Sequence, residues 1–110
     1  MNVRFYTTSS GKSPVEELLH TCSSDVKHDF IDAINLLSLG RTLEMPLSKN
    51  LSNIYPGLHE LRLKDASGCF RFFYFIKKQV AIYFIHAFKK KEQKLRKKVQ
   101  KLVLHRLKEI

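Results

Sequence analysis

Two neighbouring segments that are apolar on both faces constrain the fold of this chain more than any other feature. Cys69–Ile76 (CFRFFYFI) and Val80–Phe88 (VAIYFIHAF) are rich in aromatic and β-branched residues, which is typical of strands. Strands of this kind lie in the middle of a sheet and are covered on each side. Leu58–Lys64, which alternates apolar and charged residues, precedes them, and a turn at Asp65–Gly68 makes the connection. The three segments therefore predict an antiparallel meander with the later two strands at its centre.

The residues before the meander predict one strand followed by a helical hairpin. Residues 2–7 (NVRFYT) alternate apolar and polar side chains, as a short strand does. The run Ser13–Glu16 (SPVE) is a capping box with proline at the first helical position, so a first helix begins there. A second helix begins at Ser23 or Ser24 and ends near Gly40, which is suited to a left-handed stop.

A loop and a final helix complete the predicted architecture. Residues 41–57 contain two prolines and several turn formers, so they predict a loop. Roughly Glu92–Lys108 follows helical spacing, with a predicted inner stripe of Leu95, Val99, Leu102, Val103 and Leu107. The order β-α-α-β-β-β-α predicts a single α+β domain over residues 1–110, with a four-stranded antiparallel sheet, an N-terminal helical hairpin and a basic C-terminal helix.

Composition excludes several classes of protein. A hydrophobic content of 44% excludes a wholly disordered basic chain. The longest apolar run, Val80–Ile85, is far too short for a membrane span, and the first ten residues lack the apolar core of a secretory signal. Cys22 and Cys69 fall in different predicted elements without metal-ligand spacing. These observations predict a cytoplasmic protein with reduced cysteines and no membrane partner.

Nearly all of the positive charge lies in the last fifth of the chain. Residues 89–110 carry ten basic and two acidic side chains, a net charge of +8, whereas the first 88 residues carry ten and eight, a net charge of +2. Concentrated positive charge beside a folded domain favours a polyanionic partner, most often nucleic acid. A lysine-rich helix is also common as a merely solvated surface, so this interpretation needs support from other residues.

Arg71 gives that support, because it lies mid-strand among aromatic residues. A charge in such a place costs several kcal/mol unless it is paired or faces a cleft. One interpretation pairs Arg71 with Glu60 or Asp65 across the hairpin as a structural ion pair. The other has the guanidinium bind a phosphate on the open face of the sheet.

Other cations are expected to join Arg71 on one surface. Arg62 lies on the neighbouring predicted strand, and Lys64 follows two residues later. Three more cations come where the third meander strand ends: Lys89, Lys90 and Lys91. Since these residues come from three separate segments, their convergence would indicate a binding site rather than a solvated helix.

Residues that could move protons are few. His86 lies in an apolar strand, where packing is the commoner role, although the pKa of imidazole suits proton transfer. His59, at a strand start, has no assigned role, and Lys49 either reaches the site or is merely exposed. The sequence has no carboxylate pair, Ser/His/Asp set, glycine-rich phosphate loop or metal-ligand cluster, so neither a metal nor a cofactor is predicted.

Three motifs in order resemble a known family. They are Gly57–Arg62 (GLHELR), Phe70–Tyr74 (FRFFY) and His86–Lys91 (HAFKKK), and the Pro14–Leu19 opening of the first helix is similar too. Together they resemble the HigB/RelE superfamily of bacterial type II toxins, most closely its phage-associated HigB-like branch. The resemblance implies a RelE-like fold and a toxin that cleaves messenger RNA, usually on the ribosome, and is inhibited by an antitoxin encoded beside it, typically of the helix-turn-helix type.

The resemblance also implies a role for each cation. It implies metal-free cleavage in which the RNA 2′-OH attacks the adjacent phosphate, with Arg71 as principal phosphate ligand, Arg62 as a second, and Lys89 and Lys90 stabilising the transition state. The general base stays open between His86 and His59. The sequence departs from this branch after the lysines, where Glu92–Leu95 (EQKL) replaces Thr-Gln-Lys-Thr-Pro. The expected RNA-binding residues are Lys64, Lys91, Lys94, Lys97, Lys98 and Lys101.

Two other functions remain open from the sequence. A ParE-like relative with the same fold poisons DNA gyrase and lacks the RNA-cleaving cations, which the strand arginines argue against. A non-enzymatic nucleic-acid-binding module would depend on the C-terminal helix alone and show steep salt dependence without any product.

Overall fold

The computed structural model of the chain describes residues 1–90 and 97–110. The strands are β1 (Asn2–Phe5), β2 (Ser48–Asn50), β3 (Leu58–Asp65), β4 (Gly68–Lys77) and β5 (Ala81–Lys89). The helices are α1 (Pro14–Thr21), α2 (Ser24–Ser38) and α3 (Lys97–Leu107). Among these residues, no helix is both long enough and apolar enough to span a bilayer.

One mixed sheet of five strands organises the molecule, in the order β1-β5-β4-β3-β2. β1 runs parallel to β5, and the other neighbours are antiparallel. The predicted α+β class and the meander of β3, β4 and β5 are confirmed, and β4 and β5 are internal strands. The predicted four-stranded antiparallel sheet is wrong in two respects, because β1 is parallel to its neighbour and β2 adds a fifth strand.

β2 lies inside the segment predicted to be a loop. Its three residues are polar, so no apolar periodicity marks them in the sequence. Ser48 lies opposite Leu61 and Asn50 opposite His59, and the Ser48 hydroxyl is 2.7 Å from the Tyr74 hydroxyl. This short edge strand is therefore specified by backbone pairing to β3 and by one buried hydrogen bond, neither of which leaves a local pattern.

The helix boundaries follow the predicted caps. The Ser13 hydroxyl accepts a hydrogen bond from the Glu16 N–H at 3.4 Å, and the Ser23 hydroxyl accepts one from the Val26 N–H at 3.3 Å. Gly40 follows α2 with φ +81°, as a left-handed stop requires. The predicted hairpin of two helices is confirmed.

Each face of the sheet has its own hydrophobic core. The face under α1 and α2, called the hairpin face, buries Val15, Val26, Phe30, Leu37, Leu61, Phe72 and Phe84, among others. The opposite face, called the α3 face, buries Leu51, Leu58, Phe73, Ile85, Val103 and Leu107. Because side chains alternate along a strand, the register of each strand decides which residues share a face.

The C-terminal helix packs through part of its predicted stripe. Val99, Val103 and Leu107 contact the α3-face core as predicted. Leu104 packs there too, whereas Leu102 is not part of this core among the residues that the structure describes. Leu95 and the predicted start at Glu92 lie outside the described residues.

Candidate functional site

The two strand arginines lie side by side. Arg62 on β3 is directly opposite Arg71 on β4 in the antiparallel ladder, so both side chains project from the α3 face. The register places two positive charges next to each other in a sheet, which is unfavourable unless an anion separates them. The predicted convergence of Arg62 and Arg71 on one face is therefore observed.

Glu60 supplies that anion from the same strand face as Arg62. Its Oε1 atom accepts hydrogen bonds from Arg62 Nε at 2.9 Å and from Arg71 Nη1 at 2.5 Å. Glu60 is 4% exposed and Arg71 is 9% exposed, so the pair is buried. The interpretation that pairs Arg71 with Glu60 is confirmed as a structural fact.

Asp65, the other partner considered for Arg71, has a different role. Its carboxylate accepts hydrogen bonds from the hydroxyls of Ser23 and Ser67, each at 2.7 Å. These bonds, that of Ser67 foremost, lower the pKa of Asp65 to about 2. Asp65 therefore ties the start of α2 to the β3–β4 turn rather than balancing an arginine.

One carboxylate does not satisfy two guanidinium groups. Within the described residues, Arg62 and Arg71 share a single Glu60 oxygen, which leaves one positive charge unbalanced. Arg71 Nε is buried and has no hydrogen-bond acceptor among those residues. A buried donor without a partner costs roughly 1–3 kcal/mol. An anionic ligand oxygen at this position would remove that cost and balance the charge.

A polar cleft opens beside these groups, with a volume of about 230 Å³. β2, the loop that follows it, the strand pair β3–β4 and helix α3 all contribute to its walls. The polar residues that line it are Lys49, Asn53, Glu60, Arg62, Arg71 and Gln100. Lys49 reaches the cleft because it is opposite Glu60 in the β2–β3 pairing. Lys49 is thus both exposed and part of the cleft lining.

Lys89 does not join the cleft, so its predicted convergence with Arg71 is wrong. It is opposite Phe70 in the ladder, and its ammonium lies 5.7 Å from the centre of the Phe70 ring, which belongs to the hairpin-face core. Strand alternation therefore directs Lys89 away from the α3 face. Lys90 follows the end of β5, and its backbone N–H donates to the Cys69 carbonyl oxygen at 2.7 Å.

The other predicted RNA-binding lysines are distributed over the surface. Lys64 is exposed near the end of β3 and lines a separate shallow groove with Arg62 and Leu47. Lys97, Lys98 and Lys101 are exposed on α3. Lys91 and Lys94 lie outside the described residues.

His86 is held under α3 as a packing residue. Its Nδ1 is 3.2 Å from Arg106 Nη1, and its ring lies 6.3 Å from that of Phe73. Burial, together with the positive charge of Arg106, lowers the pKa of His86 to about 4. His86 is not among the described residues that line the cleft.

His59 lies on the other side of the sheet from the arginines. Its ring stacks on that of Tyr74 at 5.1 Å between centroids, and burial lowers the pKa of His59. Neither histidine considered as general base therefore borders the cleft in the described part of the chain.

Sequence reasoning missed two polar residues of the cleft, Asn53 and Gln100, and its apolar residues Leu51 and Ile54. Asn53 lies in a loop and Gln100 on a helix 47 positions later, so no motif spacing connects them. Within residues 1–90 and 97–110, no group of His, Cys, Asp and Glu is arranged to hold a metal ion, and both cysteines are free thiols.

The fold and the site define a class. This is a small α+β protein in which, within the described residues, a half-buried Arg62 and a buried Arg71 share one carboxylate in a polar cleft beside a lysine-bearing C-terminal helix. The chain belongs to the family of phage-derived Gp49-like proteins (DUF891), whose model matches residues 17–108. This family is toxin-like and related to the RelE/HigB type of toxin. No curated protein matches the chain at a significant level.

Proposed function

We propose that this chain is the toxin of a type II toxin–antitoxin system and that it cleaves messenger RNA on the ribosome. The single observation that carries the proposal is the pairing of Arg62 and Arg71 on one Glu60 oxygen beside a cleft, where Arg71 Nε lacks an acceptor among the residues that the structure describes. Family membership supports the toxin class. The cleft supports a phosphate-bearing substrate, since guanidinium groups match phosphate geometry.

The proposed reaction uses the RNA as its own nucleophile. The 2′-oxygen forms a bond to phosphorus as the P–O5′ bond breaks, which leaves a 2′,3′-cyclic phosphate. The 2′-OH loses its proton in this step, and O5′ gains a proton to become a free 5′-OH. The phosphorane that forms carries more negative charge than the substrate. Donors fixed before the reaction stabilise such charge, and removing one typically costs about 10²–10³ in rate.

Each cleft residue has a role in this proposal. Arg71 binds the non-bridging phosphate oxygens, and Arg62 supports it from the neighbouring strand. Glu60 fixes both guanidinium groups, so they need not reorganise when the phosphorane forms. Lys49 adds positive charge from the wall of the cleft, and Lys90 adds a further positive charge just after β5, whereas Lys89 has no part in the chemistry.

His86 is proposed to pack rather than to transfer protons. With a pKa of about 4, its ring is neutral near pH 7 and is a weak base. The Arg106 guanidinium already forms a hydrogen bond with Nδ1 of His86. The proton acceptor for the 2′-OH is therefore assigned to no histidine in this proposal.

The proposal includes two partners. The exposed lysines of α3, Lys97, Lys98 and Lys101, would contact ribosomal RNA through charge alone. A cognate antitoxin would inhibit the toxin with an acidic or amphipathic segment that covers the cationic cleft.

Induction of the chain without its antitoxin tests the proposal. Growth should stop, and primer extension on translated messages should find new 5′ ends within minutes. Arg71→Ala should abolish both effects, while Arg41→Ala, which changes an exposed arginine outside the cleft, should leave them intact. Cleaved DNA with intact messages, or RNA binding without any product, would contradict the ribonuclease assignment.

A further inference from the structure

The cleft contains two amide side chains that the phosphate chemistry does not use. Asn53 comes from the loop after β2 and Gln100 from the first turns of α3, and both line the same space as Arg71. Asn53 is exposed and Gln100 is half-buried. Among the residues that the structure describes, neither side-chain amide has a hydrogen-bond partner. Two unpartnered amides from separate segments therefore face the position where a phosphate would bind.

An amide is suited to a nucleobase rather than to a phosphate. It presents one donor and one acceptor side by side, and the edge of every base offers adjacent donors and acceptors. A phosphate oxygen accepts only, so half of the amide would remain unused against it. Unpaired bases are recognised on these edges in single-stranded RNA.

The rest of the cleft fits one base beside one phosphate. Leu51 and Ile54 add apolar surface to the wall next to Asn53, which a flat aromatic ring would cover. The volume of about 230 Å³ is smaller than the roughly 300–1,000 Å³ of drug-sized pockets, so the cleft is too small for a duplex.

We infer that Asn53 and Gln100 hydrogen-bond to the edge of the unpaired base adjacent to the phosphate at Arg71, and so determine which base the protein prefers at its cleavage position. This inference rests on the proposed function, since it takes the ligand to be single-stranded RNA. In this inference the amides determine base specificity and the arginines stabilise the phosphate charge, so experiments can separate the two roles.

The test measures binding without cleavage. Four fluorescein-labelled 2′-O-methyl trinucleotides that differ only in the central base are titrated with the protein, and anisotropy gives each Kd; the methyl group removes the nucleophile. The wild type should prefer one base over the least favoured by about tenfold or more. Asn53→Ala and Gln100→Ala should each reduce that ratio severalfold, and Gln100→Glu should change which base is preferred. Asn35→Ala, an exposed change on α2, should leave the ratio unaltered.

The outcomes distinguish the inference from the proposed function. The inference is overturned if the wild type binds all four trinucleotides equally. It is also overturned if the ratio of Kd values is unchanged in the folded Asn53 and Gln100 variants. In either case, cleavage of messages by the wild type would still support the ribonuclease. Arg71→Ala should weaken all four probes alike. If that variant binds as the wild type does, the proposed phosphate site is wrong. Urea midpoints for every variant separate weaker RNA binding from a failure to fold.

Discussion

Nη1 of Arg106 lies 3.2 Å from Nδ1 of His86 and 2.9 Å from the carbonyl oxygen of Ile85, and so connects the C-terminal helix to the internal strand β5. The same guanidinium lies over the Tyr6 ring at 4.8 Å, and the Tyr6 hydroxyl donates to Glu109 at 3.1 Å. Because α3 provides Gln100 and the exposed lysines, these interactions hold one wall of the cleft in place.

The first prediction concerns pH. His86 has a pKa of about 4 in the folded protein and 6.5 ordinarily, so only the unfolded state takes up its proton between these values. The free energy of unfolding should therefore fall as pH drops from about 6.5 to about 4, by at most about 3 kcal/mol from this residue. His59, whose pKa is also lowered, adds to the same slope. Urea denaturation across pH 7.5 to about 4 measures it.

His86→Gln provides the matched comparison, because it keeps an acceptor for Arg106 without titrating. Its stability should depend less on pH over the same interval. If the free energy of unfolding depends equally on pH in the variant and the wild type, the pKa of His86 is not lowered in the folded protein. Below about pH 4, loss of the Asp65 hydrogen bonds adds a second decline, since that carboxylate has a pKa of about 2.

The second prediction concerns Glu60. Glu60→Gln leaves two guanidinium groups without their carboxylate, and breaking a buried ion pair costs about 3 kcal/mol or more. The urea midpoint should drop accordingly, whereas Glu17→Gln, an exposed change on α1, should shift it little. A midpoint for Glu60→Gln within error of the wild type would mean that the arginines are adequately solvated without the carboxylate.

The third prediction separates steric clash from backbone strain at glycine. Gly57 has φ +87°, and a Cβ there would lie 2.9 Å from the Ile76 carbonyl oxygen and from a Phe75 ring carbon. Gly40 has φ +81° with nothing within 4 Å of the added atom. Gly40→Ala should cost about 1–2 kcal/mol from its left-handed backbone alone. Gly57→Ala should cost clearly more, and thermal unfolding of the two variants compares them; equal destabilisation would exclude the clash.

The fourth prediction concerns Lys89. Because its ammonium lies against Phe70 on the hairpin face, Lys89→Met should retain most of the toxicity that Arg71→Ala abolishes. Growth arrest after induction, with protein levels matched by immunoblot, measures the difference. Loss of toxicity in a well-folded Lys89→Met protein would place this lysine in the chemistry despite its position in the strand.

The fifth prediction concerns the lysines of α3. Replacing Lys97, Lys98 and Lys101 by Gln should reduce the salt dependence of RNA binding, by about 0.7 in the slope of log K against log salt for each phosphate that the helix no longer neutralises. The exposed Lys12 and Lys27 serve as controls, since they lie on the hairpin side of the molecule. An identical slope in the α3 variant and the wild type would remove this helix from the RNA interface.

The elements that have local causes were predictable from the order of the amino acids. Capping serines, a left-handed glycine and strands apolar on both faces each act within a few residues, so the hairpin of α1 and α2 and the meander of β3, β4 and β5 were predictable. The proximity of Arg62 and Arg71 was predictable for the same reason. They flank a short turn at similar distances, which fixes their register.

The remaining features depend on contacts between segments that are distant in the chain. β2 forms because β3 offers backbone partners, and β1 pairs in parallel with β5, which follows it only after two helices and three other strands. The face that Lys89 occupies depends on the pairing of β5 with β4, and the meeting of Asn53 with Gln100 depends on how α3 packs. These interactions join residues far apart in the chain, and since no local pattern encodes such distances, packing and long-range hydrogen bonding alone determine them.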